Sequence, residues 1–271
     1  MRWMQGFEYA VLGGCLLMSV GLLLTCVLRY SLAGGASALD KRVVGGIPTE
    51  RLGLIDLAGI GLIFAIYLGD WIDLGRPRVI ERAGTSFLLT QLLFQLSFAG
   101  VVMGVLYHRV DFVKFWGLKP VRYWWAIGVT FTGFVAYFLF LELLWMVGFV
   151  AWADHVFWRI PGLPAGGASS VGVSDVLILG VMTVVLAPVV EEIVFRGYLY
   201  PVLKRMGGVW LAAATVSLFF AAAHLEGAYL AGRFFLSLIL IASYEWTGSL
   251  WTPIGIHFLN NLYVFSNNFS E

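Results

Sequence analysis

The chain has 271 residues, of which 60% are hydrophobic and only 12% charged, and its mean hydropathy is +0.88. A soluble domain carries about twice that share of charge, so the soluble globular classes are set aside and the bilayer is read as the first partner. The net charge of +1 comes with no basic run and no zinc-finger spacing, which leaves no nucleic-acid partner to argue for.

Apolar blocks run near residues 7–28, 52–69, 86–107, 124–152, 174–190, 208–223, 228–246 and 251–267. A spanning helix needs about 20 such residues, so the pattern predicts an all-α, polytopic bundle of about eight transmembrane helices. The whole chain, 1–271, reads as a single membrane domain. Arg2 precedes the first block, and Ala36-Ser37-Ala38 resembles a signal-peptidase site. The apolar stretch is longer than a signal core and the site lies well beyond its end, so a retained helix is expected. Cys15 and Cys26 lie on that helix about 16 Å apart, too far for a disulfide, and read as small packing residues.

Residues 1–153 carry no recognisable motif. The Gly- and Ser-rich stretch 162–170 reads as a loop between this half and a chemically loaded second half. Counting basic residues by loop puts eleven of the 17 on odd-numbered connections, among them Arg109, Arg196, Lys204 and Arg205. The positive-inside rule then places the odd loops in the cytoplasm and Glu191 near the cytoplasmic end of the fifth helix. An integral, multi-pass protein of the cell membrane is expected.

A titratable side chain in a bilayer costs roughly 2.5–3.5 kcal/mol on insertion scales, so such residues face a cavity or a partner. The candidates are Glu191, Glu192 and Arg196 in the fifth block, His224 closing the sixth, and His257, Asn260 and Asn261 in the eighth. Asp56, Gln91, Gln95, Glu142 and Glu245 are isolated. Glu142 is read as lining the cavity or reaching an interface, and Glu245 as snorkelling from a helix end.

Glu192 and Arg196 are four apart, in the favourable order for an ion pair, and Glu191 points about 100° away. Pro188 is expected to kink the helix or to open a new one. In the eighth block Thr252 is expected as a cap with Pro253 in the first turn. His257 and Asn261 share a face there, and their N–H groups suit a developing oxyanion. Asn260 is expected to bond a neighbouring helix. Phe220 precedes His224 by four residues, so its ring is expected under the imidazole. A carboxylate with a histidine can deprotonate water, while a second histidine with an amide can hold an oxyanion; these are the parts of amide hydrolysis.

Three motifs run in order: Glu191-Glu192-Ile193-Val194-Phe195-Arg196 (EExxxR), Phe220 to His224 (FxxxH) and His257 to Asn261 (HxxxN). In these the chain resembles the CPBP family, which includes type II CAAX prenyl endopeptidases and bacteriocin-processing membrane proteases. The resemblance covers a core of residues 174–266. It implies that Glu191 and His224 activate the attacking water and that His257 and Asn261 stabilise the oxyanion. It also implies that Glu192 and Arg196 form a supporting ion pair. The substrate would be a membrane-associated peptide or protein. Two schemes stay open: a metal-free glutamate protease, which is preferred, and a metalloprotease with zinc on Glu191, His224 and His257. A non-catalytic membrane scaffold or immunity factor that retains the fold is the alternative function. A transporter finds no support in repeated broken helices.

Overall fold

A computed structural model describes residues 2–32, 47, 49, 52–53, 55–73, 85–119, 123–146, 173–224 and 230–268. The loop 162–170, Ala36-Ser37-Ala38 and His155 lie outside them, and the side chain of Gln91 is likewise not described. The described residues are helical, with no strand among them. In chain order the helices are α1 (Arg2–Leu32), α2 (Asp56–Asp73), α3 (Thr85–Leu106), the single turn α4 (Phe112–Phe115), α5 (Tyr123–Met146), α6 (173–207), α7 (Val209–Ala223), α8 (Leu230–Thr247) and α9 (Trp251–Asn268).

Three helical stretches are long and apolar enough to cross a membrane: Gly13–Leu32, Tyr123–Leu144 and Val176–Gly207. Shorter apolar helices cover Asp56–Tyr67, Leu92–Leu106 and Val209–Ala223. The burial pattern suits a lipid surround. Leu17, Leu24 and Leu28 on α1 and Ile127, Phe131, Leu139 and Leu143 on α5 are exposed, whereas Asp56, Glu192, Arg196 and Lys204 are completely buried. Apolar outer faces and a charged interior reverse the soluble arrangement, as a chain solvated by acyl tails requires.

The fifth block differs most from its sequence reading. It neither stops near residue 190 nor restarts at Pro188, but continues as one helix to residue 207. Two wide π turns, Val181–Leu186 and Phe195–Leu199, interrupt it, and each comes just before a proline, Pro188 and Pro201. A proline removes one N–H and crowds the carbonyl four residues earlier; a π turn relieves that crowding without breaking the helix. From Val194 to Gly207 every residue is buried, so α6 is the central column of the fold.

The other helices pack around that column. α1 and α7 flank its 200–207 end, α3 and α9 its 187–194 stretch, and α5 lies outside against α8 and α9. On α1, Cys26 is fully buried, and a Cβ placed at Gly207 would stand 2.6 Å from its Sγ. The first helix is thereby part of the core. Cys15 and Cys26 are both free thiols. On α2, Gly59 meets Tyr198 of α6, where an added Cβ would lie 2.3 Å from the phenolic oxygen. That phenol donates to the Asp56 carbonyl at 2.9 Å.

The segment around α4 fastens one end of the bundle. Trp116 Nε1 donates to the Gly197 carbonyl in the second π turn at 3.0 Å, and the Trp116 carbonyl accepts from Leu250 N at 2.9 Å. Gly117 has φ of +60°, and a Cβ there would fall 1.8 Å from the Gly248 oxygen. Only glycine fits both that backbone and that approach.

Several loop cations of the sequence reading are interior groups. Arg196, Lys204 and Arg205 belong to α6 and are buried. Lys204 pairs with Glu245, which also accepts from Tyr200 Oη, and Arg205 donates to the Thr49 carbonyl. Glu245 is therefore a half-buried partner on α8 and does not snorkel. Arg109 holds Asp56 through two hydrogen bonds of 2.7 and 3.0 Å. Glu142 is exposed on α5, so of its two expected positions the cavity is ruled out. Helix α9 begins at Trp251, and Thr252 Oγ1 is buried with no hydrogen-bond partner, so Thr252 does not cap it.

Candidate active site

The site forms where α6, α7 and α9 meet. Glu191 and Glu192 are neighbours on the buried stretch of α6 between its π turns, and the turn of the helix sends them to different partners. Glu192 Oε1 receives Arg196 Nη1 at 2.9 Å and faces His257 Nδ1 at the same distance. Arg196 is completed by Ser237 of α8, whose Oγ lies 2.8 Å from Nη2, and its guanidinium carbon stands 4.6 Å over the Phe220 ring. All of these charged groups are buried. A buried charge is tolerated when paired and hydrogen-bonded, and the pairing here leaves only Glu192 Oε2 and Arg196 Nε without a hydrogen-bond partner.

Glu191 turns the other way. Its Oε2 lies 3.5 Å from His224 Nε2 and 3.8 Å from His257 Nε2, within ion-pair range of both rings. The same oxygen is buried and has no hydrogen-bond partner. The side chain as a whole is 21% exposed and borders a cavity.

Each histidine is oriented by its other nitrogen. His224 is the C-cap of α7, and its Nδ1 lies 2.7 Å from the Phe220 carbonyl four residues back. A carbonyl only accepts, so Nδ1 carries the proton, and in the neutral ring Nε2 presents a lone pair toward Glu191. His257 likewise donates its Nδ1 proton to the Glu192 carboxylate. The Phe220 ring sits 4.6 Å from His224 and 5.9 Å from His257, filling the space beneath both.

Asn261 has a partner on α6. Its Nδ2 donates to the Thr183 carbonyl in the first π turn at 2.9 Å. Asn260 does not reach another helix: its Nδ2 donates to Asn261 Oδ1 at 3.1 Å. Thr183 needs that donor. The Ala187 N–H is directed to Met182, and the next residue, Pro188, has no N–H. Asn261 thus satisfies a carbonyl that the π turn and the proline set free.

A cavity of about 150 Å³ lies against Glu191 and His224. Val190, Val194 and Ala223 complete that side, while Tyr67 of α2 and Phe94, Gln95 and Phe98 of α3 form the opposite wall. Among the described residues no group of three or more His, Cys, Asp or Glu side chains is arranged to hold a metal ion. Glu191, His224 and His257 approach one another without forming a ligand set, so the zinc arrangement and the metalloprotease reading find no support in the geometry.

Residues 173–263 match a family model described as Rce1-like, type II CAAX prenyl endopeptidase. That segment is Rce1-like. It carries all three motifs, and with the apolar helices it makes the chain an integral membrane protein resembling the CPBP intramembrane proteases. Neither a curated protein nor a solved structure matches the chain. The Rce1-like segment holds Glu191, Glu192, Arg196, His224, His257 and Asn261, but the far wall of the cavity comes from α2 and α3, outside it.

Sequence spacing could not foresee the Glu192–His257 bond, the Ser237 contact or the Asn261–Thr183 bond, since each joins helices distant along the chain. Gln95 did carry a signal, as one of few amides in an apolar block.

Proposed function

We propose that this protein is an intramembrane endopeptidase that hydrolyses a peptide bond of a membrane-associated substrate. The reading rests on one observation: Glu191 Oε2 is unpartnered and lies within 4 Å of two imidazoles while the side chain stays partly exposed and borders a cavity.

A water placed between Glu191 and His224 donates one hydrogen bond to the carboxylate and the other to His224 Nε2. Its free lone pair then points toward the substrate carbonyl. His257 is the oxyanion donor. Its Nδ1 proton is committed to Glu192, so donation from Nε2 needs the ring to carry both protons. Asn261 contributes the amide hydrogen that Thr183 leaves unused. Attack forms the C–O bond as one water proton passes to Glu191; collapse of the tetrahedral intermediate then breaks the C–N bond, the proton on Glu191 goes to the leaving amine, and the second water proton leaves with the product carboxyl group. No step is routed through a metal ion.

The Rce1-like match supports a substrate of the CAAX prenyl class. The basic excess of the odd-numbered loops, kept after the buried α6 cations are removed, supports a site opening toward the cytoplasmic face of the cell membrane. The test uses the full chain in phosphatidylcholine liposomes with a farnesylated, fluorescence-quenched CAAX peptide. Wild type is expected to cleave it, and Glu191→Gln and His224→Ala to lose cleavage while remaining folded. Undiminished cleavage by Glu191→Gln would overturn the reading.

A further inference from the structure

Gln95 stands on the cavity wall opposite the reacting groups. It is in the apolar helix α3, beyond the residues of the Rce1-like match. Its Oε1 is buried and has no hydrogen-bond partner. The side chain lines the same cavity as Glu191 and His224, between Phe94 and Phe98, with Tyr67 stacked on Phe98 at 4.9 Å between centroids. Acyl chains offer this amide no donor, and the Phe94 and Phe98 rings beside it offer none either. An amide kept in such a place is complementary to a group that arrives from outside. A primary amide has one accepting and one donating end, which are the two complements of a peptide group.

The cavity volume sharpens this. A space of about 150 Å³ takes a group of roughly benzene size. That is the scale of one side chain of a bound peptide. Phe94, Phe98 and the face of the Tyr67 ring supply the apolar slot, and the Gln95 amide supplies a polar anchor in that wall.

We propose that Gln95 is a substrate-binding residue, accepting a backbone N–H of the bound peptide next to the scissile bond. The inference rests on the proteolytic reading above. It gives the N-terminal half of the chain a direct part in the site: α6, α7 and α9 carry the chemistry, while α2 and α3 hold the peptide in register. Binding through Gln95 is present in the ground state and kept in the transition state, so it acts on KM more than on kcat.

The test pairs a variant with a backbone-edited substrate. Gln95→Met keeps the length of the side chain and removes the amide. The probes are farnesylated CAAX peptides in which one amide near the scissile bond at a time is replaced by an ester, deleting that N–H alone. For one ester, wild type is expected to show a KM about tenfold higher with kcat within about threefold. Gln95→Met is expected to show the same rise with the parent peptide and no further rise with that ester. If every ester affects wild type and Gln95→Met equally, within about twofold, the assignment is overturned. Affinity is also read by fluorescence anisotropy on Glu191→Gln with and without Gln95→Met. If wild type cleaves nothing yet the coupling appears in binding, hydrolysis fails and the Gln95 contact stands. Absence of any peptide binding overturns the contact as well.

Discussion

Asn261 Nδ2 and the Thr183 carbonyl oxygen form a 2.9 Å hydrogen bond between α9 and the first π turn of α6. The bond places the HxxxN helix against the helix that carries Glu191, so this asparagine braces two helices. Asn261→Ala leaves a buried carbonyl without a donor and is expected to cost about 1–3 kcal/mol. Pro188→Ala returns an N–H to the helix near that carbonyl. The double variant is expected to regain part of the lost thermal stability in detergent without regaining cleavage. Equal recovery of both would assign Asn261 to the scaffold alone.

The adjacent glutamates should separate stability from turnover. Glu192 is paired with Arg196 and His257, each at 2.9 Å, inside the protein. Glu192→Gln uncouples a buried cation and is expected to destabilise by about 3–5 kcal/mol and to lower cleavage. Glu191→Gln keeps the shape of a side chain whose Oε2 has no hydrogen-bond partner and stands 3.5 and 3.8 Å from the two imidazoles, and it is expected to lose less stability than Glu192→Gln, with turnover reduced about 100-fold or more. Thermal scans beside peptide cleavage check both.

Gly59 and Tyr198 should behave as a unit. Gly59→Ala places a methyl 2.3 Å from the phenolic oxygen, an overlap expected to cost about 1–3 kcal/mol. Tyr198→Phe removes the oxygen in conflict along with its bond to the Asp56 carbonyl. Gly59→Ala combined with Tyr198→Phe is expected to lose less stability than the two single losses added together. A strictly additive result would mean that α2 yields at no cost.

Asp111 gives an acid response away from the bundle interior. Its carboxylate caps α4, accepting from the Lys114 and Val113 N–H groups, and these bonds hold its pKa below the usual carboxylate value. A lowered folded-state pKa adds stability above the ordinary carboxylate range and loses it as pH falls through the folded value. Asp111→Asn keeps the cap and is expected to flatten that part of the profile of melting temperature against pH below about 4.

The helical class was legible because apolar blocks of spanning length leave few alternatives in lipid. The candidate residues were legible because Glu191, His224 and His257 are costly in an apolar segment, and cost marks them out. The course of α6 was not legible. Pro188 reads locally as a stop, and the π turn that carries the helix past it depends on a donor from Asn261, 73 residues later in sequence. Loop charge misled for a related reason: Arg196, Lys204 and Arg205 look like cations beyond a helix end until Glu192, Glu245 and the Thr49 carbonyl are found facing them. The supporting bonds of the site share this character, being matches between distant helices with no local signature.

Cys26, sealed against Gly207, gives the protein a native chemical clock. With Cys15→Ser the chain holds a single sulfhydryl, shut away for as long as the first helix stays docked on the central column. The rate at which a maleimide modifies it then times the parting of those two helices, with no added label to disturb the bundle.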